Sequence, residues 1–445
     1  MYYFNSKENQ LDAARQIFTH LAQIADARIS IRLWDGSLVP LGDNADASWY
    51  ISIKGPEVLG SLLRRPSLET FIRQYATGGI DFCGGELIDF YTMLRTRGAR
   101  TQGVSSKQIK RRLNKGYLLK KVIPLLFARN QPNEADHQFR GDDSGRKQKA
   151  RDEKSFIQFH YDLSNEFYSL FLDPEMQYSC ACFAAWDQEL EEAQQNKLDM
   201  ICRKLRLQPK ERFLDIGCGW GGLLCHAAKK YQVRGHGVTL SKEQFDFARK
   251  KVRKLGLEEQ ITIEMRDYRE LTGQYDKIAS IGMYEHIGLA NYTTYFNKLN
   301  SLLKDRGVLL NHGITRRAKH SKRQFMRITP GRKFILKYIF PGSELDHIGH
   351  TVSKMEACGF EVHDVEAWRE HYARTTELWC RRLEAQREKA INVVGEERYR
   401  MWIAYLAGVS FAFQDGSLRI FQTVATKHDR KGPSTMPPTR GYLYT

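Results

Sequence analysis

Three places in the chain bring reactive side chains together. The run Phe213-Leu214-Asp215-Ile216-Gly217-Cys218-Gly219-Trp220-Gly221-Gly222 reads as an apolar strand ending in a glycine-rich turn that opens a helix. Glycines let the backbone approach a ligand closely and adopt positive φ, and ligands of open α/β sheets bind at strand ends near the topological switch point. The third glycine of a dinucleotide fingerprint is displaced here, no P-loop lysine follows, and Asp215 stands two residues before the first glycine. A carboxylate at that place favours a cationic ligand over a pyrophosphate, which wants donors and positive charge. The second place is SIGMYEHIG, Ser280 to Gly288, with Glu285 beside His286; the third is His312 in LLNHGIT. Carboxylates and imidazoles at strand ends suit acid–base work, although His312 taken alone reads as a core histidine.

Alternating elements must position these groups. Strands are expected at 212–217, 233–239, 261–266, 277–283, 307–314, 360–365 and 419–426, with helices at 222–230, 242–255 and 292–303 between them. Strand–helix alternation argues for a parallel sheet covered on both faces. Residues 316–358 and 369–410 break the repeat and are expected to form helices over the open end of the sheet. Ahead of this region, residues 1–130 read as a small α/β unit: a helix over 11–25, alternating stretches at 28–40 around a DGS turn and at 49–54, a helix from Glu57 and another over 86–94. Residues 131–155 read as a basic polar linker, 156–428 as the catalytic domain with its helical cap, and 429–445 as a tail.

The chain has 445 residues, 42% hydrophobic and 27% charged, which fits a globular protein of more than one domain. The N-terminus lacks the pattern of a signal peptide, and the apolar run 122–128 is far shorter than the ~20 residues that span a bilayer. A cytoplasmic location is expected. Eight scattered cysteines imply reduced thiols, and Cys180-x-Cys182 has no zinc spacing, so no structural metal is expected. The net charge of +17 is concentrated. Residues 95–154 hold 17 Lys and Arg against 6 Asp and Glu, and residues 316–333 hold eight basic residues and no acid. Such runs are ordinarily solvated faces; read functionally, they attract a polyanion, either nucleic acid or an anionic membrane.

The strand, turn and helix around DIGCGWG resemble motif I of class I S-adenosylmethionine methyltransferases. That resemblance implies a Rossmann-like seven-stranded sheet, with Gly237–Ser241 ending the second strand and Asp267 at the end of the third, where an acid meets the adenine amino group. The second strand lacks the ribose-binding acid common in such enzymes, which leaves Gln244 for that task. An Asn/Asp-Pro-Pro-aromatic turn, found in amino-directed nucleobase methyltransferases, is missing where Gly282–His286 stands, so nucleic acid is not the expected partner.

Further motifs narrow the family. YDLSNEFY (161–168), Leu172-Asp173-Pro174, QYSCA (177–181), DIGCGWGG (215–222), GVTLS (237–241), MYEHIG (283–288), YIFPG (338–342) and HYART (371–375) run in the order seen in cyclopropane fatty acid synthases and mycolic acid cyclopropane synthases. The chain resembles that family from about 156 to 427, and its first 130 residues resemble, less sharply, the lipid-associated domain of the bacterial enzymes. The resemblance implies methylene transfer from S-adenosylmethionine to cis double bonds of phospholipid acyl chains, through a carbocation that bound bicarbonate deprotonates. It implies that Cys180, Glu285, His312, the backbone N–H of Ile314 and Tyr372 hold the bicarbonate. It implies a cofactor site made by Tyr178, Ser179, Asp215, Gly217, Cys218, Gly219, Trp220, Gly221, Thr239, Gln244, Asp267, Tyr268 and Arg269. His286 is expected to orient the strand end or cap the next helix.

Departures from the family pattern are specific. Gly313 stands where relatives carry Thr or Ser, 342–348 reads GSELDHI, and Val409 replaces a cysteine. These place a methyl or methylene branch beside the ring as an expected alternative product, and a methyltransferase acting on another small molecule, or a non-catalytic binding protein, as competing classes. Phospholipid substrate gives the basic runs a partner. An anionic bilayer attracts Lys and Arg by about 1 kcal/mol each near its surface, so peripheral association with the inner face of the membrane is expected, and relatives with an N-terminal domain imply a homodimer.

Overall fold

The computed structural model describes residues 6–95, 115–128, 138–139, 152–161, 163–429 and 431–444. The chain divides into two compact units. The first takes 1–138 together with 329–334 and 383–407; the second takes 139–328, 335–382 and 408–445. Segments from the region expected to cap the sheet are thus shared between the two units.

In the first unit, β1 (Ser30–Arg32), β2 (Leu38–Pro40), β3 (Tyr50–Ile53) and β4 (Ile80–Cys83) form a sheet in the order β2-β1-β3-β4, parallel only between β1 and β3. The DGS turn closes the β1–β2 hairpin as expected, with Asp35 accepting the Ser37 N–H at 3.1 Å. Helices Lys7–Ala25, Pro56–Arg64 and Leu87–Arg95 match the sequence pattern, and Leu68–Ala76 and Lys115–Leu126 add two more. Ala13, Ala14, Ile31, Val39, Ile53, Val58 and Leu125 are among its core residues. Arg400 is buried in this unit, donating to Asp81 and to the Tyr75 carbonyl. A buried guanidinium is tolerated only with such partners.

The second unit holds β5 (Arg212–Ile216), β6 (Arg234–Thr239), β7 (Ile261–Met265), β8 (Tyr275–Ile281), β9 (Leu303–Arg316), β10 (Phe360–Ala367) and β11 (Leu418–Lys427), ordered β10-β11-β9-β8-β5-β6-β7. Side chains alternate between two apolar layers. Phe213, Ala279, Val308 and Leu310 pack on one face; Leu214, Ile216, Ile278 and Leu309 pack on the other. A sheet covered twice needs near-continuous apolar strands, which is what β5, β8 and β9 supply. The seven expected strands are all present. The sheet is mixed instead of parallel, however, because β11 inserts antiparallel between β9 and β10. Strand–helix alternation along the chain carries no information about that insertion, which long-range pairing decides.

The strand order reverses between β5 and β8, which are parallel neighbours. Their carboxyl ends therefore open a crevice where no crossover helix can lie.

Candidate functional site

A cleft of about 1090 Å³, counting the space open at its mouth, sits at this switch point. Its wall contains Tyr178, Ser179, Asp215, Gly217, Cys218, Gly219, Trp220, Thr239, Gln244 and Tyr268, ten of the residues expected to hold the cofactor. The glycine turn is made by β5 leading into the Gly222–Tyr231 helix. Gly217 has φ +75°, and a Cβ there would come 3.1 Å from Met283 Cγ, so the close approach of the β5 and β8 loops requires glycine. Trp220 Nε1 donates to Asn165 Oδ1 at 2.6 Å, and Ser164 caps the Asn165–Ser169 helix. That pair explains the Ser-Asn of the YDLSNEFY motif.

Three expected cofactor residues stand outside the wall. Gly221 caps the Gly222–Tyr231 helix at φ +79°. Asp267 accepts hydrogen bonds from the Arg269 backbone N–H at 2.8 Å, from its Nε at 3.0 Å and from its Nη2 at 2.6 Å. Burial raises the Asp267 pKa, but those bonds outweigh it and hold the carboxyl below its usual range. Gln244 Oε1 accepts from the Thr239 hydroxyl at 2.9 Å, leaving its NH₂ end as the donor toward a ligand.

Asp215 is a buried carboxylate of the cleft wall. It is 2% exposed, its Oδ1 has no hydrogen-bond partner, and burial pushes its pKa up to about 7, with Lys197 pulling the other way. An orphaned carboxylate oxygen in a cleft asks for a donor or a cation. The sulfonium and ammonium of S-adenosylmethionine would satisfy that demand, and the aromatic Tyr178 and Tyr268 suit the rest of the molecule, so the lining fits this cofactor.

The five residues expected to hold an anion form a layer next to the cleft and are not part of its wall. Glu285, in the turn after β8, accepts the Ile314 N–H from β9 at 2.5 Å. The Ile314 donor expected to face the anion is thus engaged by Glu285. Glu285 Oε2 and His312 Nε2 are both buried without a partner. Burial raises the Glu285 carboxyl to about 7, and the Ile314 bond opposes the shift.

His312 is held by a chain of donors. Lys204 Nζ donates to Gln422 Oε1 at 2.7 Å, which turns the amide so that Gln422 Nε2 donates to His312 Nδ1 at 3.0 Å. With Nδ1 accepting, the ring proton resides on Nε2. Burial, aided by the charges of Lys197 and Lys204, pushes the His312 pKa well below its usual value. His312 is therefore a neutral donor at pH 7. Trp368 gathers the set: its ring lies 5.4 Å from the His312 ring, its carbonyl is 3.7 Å from Cys180 Sγ, and it also accepts the Tyr372 N–H at 3.0 Å. Burial raises the Cys180 thiol well above its usual pKa, so it is a neutral, weak donor. Tyr372 packs against Trp379, on which Tyr178 of the cleft wall also packs.

Two departures acquire physical reasons. Gly313 faces away from His312 and Ile314 by strand alternation, and a Cβ there would lie 2.9 Å from the Tyr284 ring. Glu344 donates its N–H to the Glu285 carbonyl at 3.0 Å and accepts the Leu289 N–H on Oε2 at 3.0 Å, bracing both ends of the 285–289 turn. His286, expected to be structural, lines the cleft, with Nε2 3.4 Å from Tyr161 Oη.

Sequence reasoning missed Lys197, Lys204 and Gln422. The first two lie on the Leu190–Leu205 helix at positions shared with buried Leu190, Ile201 and Leu205. A lysine on the apolar stripe of an amphipathic helix was the available signal.

Comparison with known proteins agrees with this geometry. Residues 147–423 match the family model described as mycolic acid cyclopropane synthetase. The chain is 35% identical over 418 residues, 94% of its length and 96% of the relative's, to a "Probable fatty acid methyltransferase" of Pseudomonas putida. It is 39% identical to the "Cyclopropane-fatty-acyl-phospholipid synthase" of Escherichia coli, covering 61% of this chain and 68% of that one. The solved structure of mycolic acid cyclopropane synthase CmaA1 complexed with SAH and CTAB superposes with a TM-score of 0.58 at 37% identity, covering 62% of this chain and 98% of that one. A cleft built for a sulfonium at the switch point of a seven-stranded sheet, a family match across most of the chain and these relatives lead to one conclusion: the chain belongs to the mycolic acid cyclopropane synthetase family of S-adenosylmethionine-dependent methyltransferases.

Proposed function

We propose that the protein transfers a methylene unit to cis double bonds of phospholipid acyl chains, closing a cyclopropane ring. The observation that carries this reading is the polar layer beside the cofactor cleft, where Glu285 Oε2 and His312 Nε2 are buried without partners. Transfer to a nitrogen or oxygen sheds its proton from the acceptor atom itself, where an ordinary side-chain base suffices. With an alkene acceptor the proton must instead leave a carbon beside the cationic centre, where a bare carboxylate would itself be alkylated. Bicarbonate suits the donors and acceptors present: His312 Nε2–H would donate to it, and Glu285 Oε2 would accept a hydrogen bond from its hydroxyl and so orient it. When bound, S-adenosylmethionine supplies an electrophilic methyl group. The chain supplies a wall with Tyr161, Tyr178, Trp220 and Tyr268 in it, and the bonds from Ile314 and Gln422 hold the carboxylate and imidazole in place.

A second reading has its own support. The Pseudomonas putida relative, similar over nearly the whole chain, carries the name fatty acid methyltransferase. Loss of a proton from another carbon would leave a methyl or methylene branch. Expression in cells rich in cis-unsaturated lipid, with methyl-labelled methionine, separates the outcomes. The expected result is one labelled CH₂ added per acyl chain, with cyclopropane protons in the NMR spectrum of the extracted esters. Vinylidene or methyl-doublet signals would support the branch reading, and unlabelled acyl chains would overturn both.

Membrane docking belongs to the same proposal. Of the two basic runs, most of 95–154 lies outside the described residues. In 316–333, Arg317, Lys319, Lys322, Arg323 and Arg327 are exposed beside Ile328, which is 46% exposed. No helix among the described residues is long and apolar enough to cross a membrane. Cations flanking an exposed aliphatic side chain suit an anionic interface. Binding to phosphatidylglycerol vesicles is expected to weaken severalfold from low to high salt and when Lys322, Arg323 and Arg327 become Gln; binding indifferent to salt and anionic lipid would refute docking.

A further inference from the structure

Lys197 is the least explained charge among the described residues. It is 1% exposed, lies within the cleft wall and forms no ion pair among the described residues. Two of its three N–H donors go to neutral acceptors, Gln177 Oε1 and Ser179 Oγ, the latter at 3.1 Å. One donor is left over. The carboxylates that act on it, Asp173 and Asp215, do so through space without contact. Burying an ammonium with no counter-ion is costly, and burial lowers its pKa to about 8.

The neighbours show where the missing anion belongs. Gln194, one turn earlier on the same helix, donates to the Gln177 and Ser179 carbonyls, so the helix pins the Gln177-Tyr178-Ser179 segment to the cleft wall. Lys197 and the orphaned Asp215 oxygen therefore stand in one wall with opposite charges. An α-amino acid carries the complementary pair, an ammonium and a carboxylate on one carbon. We propose that Lys197 receives the α-carboxylate of the cofactor's amino-acid portion while Asp215 faces its cationic groups; this assignment rests on the cofactor reading of the cleft. It makes Lys197 a specificity residue that separates S-adenosylmethionine and its homocysteine product from adenosine thioethers without a carboxylate.

Calorimetric titration tests it without turnover. Wild type and K197M are titrated with S-adenosylhomocysteine, with its decarboxylated analogue and with 5′-methylthioadenosine, and K197Q serves as a second variant if K197M folds poorly in a thermal melt. Wild type should bind the decarboxylated analogue about 10–100-fold more weakly than S-adenosylhomocysteine. K197M should lose a similar factor for S-adenosylhomocysteine and almost nothing for 5′-methylthioadenosine. In K197M the carboxylate should no longer matter, because both changes remove the same contact. Equal losses for all three ligands would mark Lys197 as structural and overturn the proposal. So would unchanged binding of all three with a raised bicarbonate requirement, which would place the anion in the neighbouring polar layer. Failure of wild type to bind any of the ligands would overturn the cofactor reading itself.

Discussion

Glu285→Gln should lower turnover by about 10²–10⁴-fold, the range for a displaced acid–base group, while S-adenosylhomocysteine binds with little change. Glutamine is isosteric, and its amide oxygen can still accept the Ile314 N–H that Glu285 Oε1 accepts at 2.5 Å. The 285–289 turn is also held by Glu344, whose N–H reaches the Glu285 carbonyl and whose Oε2 accepts the Leu289 N–H, neither bond using the Glu285 side chain. What the substitution removes is the capacity to take a proton at Oε2. Because burial raises the carboxyl to about 7, wild-type kcat should rise with pH as Glu285 ionises and level off above roughly 8, a limb that E285Q should lack. The same shift makes Glu285 a stability cost at high pH. A carboxyl whose folded pKa is raised binds its proton more tightly when folded, so its contribution is best in acid and is lost as pH rises through about 7. Rapid-mix kinetics across pH 6–9 with vesicle substrate would check the limb; a flat profile in wild type, or an E285Q enzyme with normal turnover, would remove Glu285 from the chemistry.

The second large effect combines opposite signs in one residue. Asp215→Asn should weaken binding of S-adenosylmethionine by about 10–100-fold, the worth of a charge-assisted contact, and should raise the stability of the ligand-free protein at pH 8. The carboxylate is buried with one oxygen unpaired, and burial lifts its pKa to about 7. Above that pH the folded protein must hold an unsolvated charge, a cost on the order of a few kcal/mol. Asparagine carries none. The stability gain should therefore shrink as pH falls through about 7, where wild-type Asp215 takes up its proton, and should vanish when saturating cofactor is present. Thermal melts at pH 5.5 and pH 8, with and without S-adenosylhomocysteine, give both signs. A variant that is less stable at pH 8 would show that the carboxylate serves packing or an undetected hydrogen bond instead of the ligand.

Legibility differed between the two halves of the site. In the cofactor half, Asp215 to Gly221 lie on one continuous stretch, strand to glycine turn to helix, which local pattern marks as ligand-bearing; Tyr178, Ser179, Thr239, Gln244 and Tyr268 come from the family resemblance, and ten of the thirteen expected residues meet in one wall. Asp267 and Arg269 were expected there from the family resemblance; they stand outside the wall and are hydrogen-bonded to each other. The polar layer is different. Cys180, Glu285, His312 and Tyr372 are far apart in the chain, and composition or periodicity could not join them; the order of family motifs did. Even so, the Ile314 N–H proved to be engaged by Glu285, a detail set by how the turn after β8 folds against β9.

By itself, the chain determined the seven strands, their two apolar faces and the ligand-bearing turn, since these depend on short-range periodicity and on glycine's access to positive φ. Only the tertiary structure decided that β11 enters antiparallel between β9 and β10, which brings Gln422 opposite His312. It also decided that Lys204 orients that glutamine, and that Lys197 stands without a counter-ion in the cleft. Protonation states, tautomers and unpaired charges arise from groups that folding brings together, Ile314 onto Glu285 across 29 residues and Gln422 onto His312 across 110. Their electrostatics exist only once water has been excluded from between them.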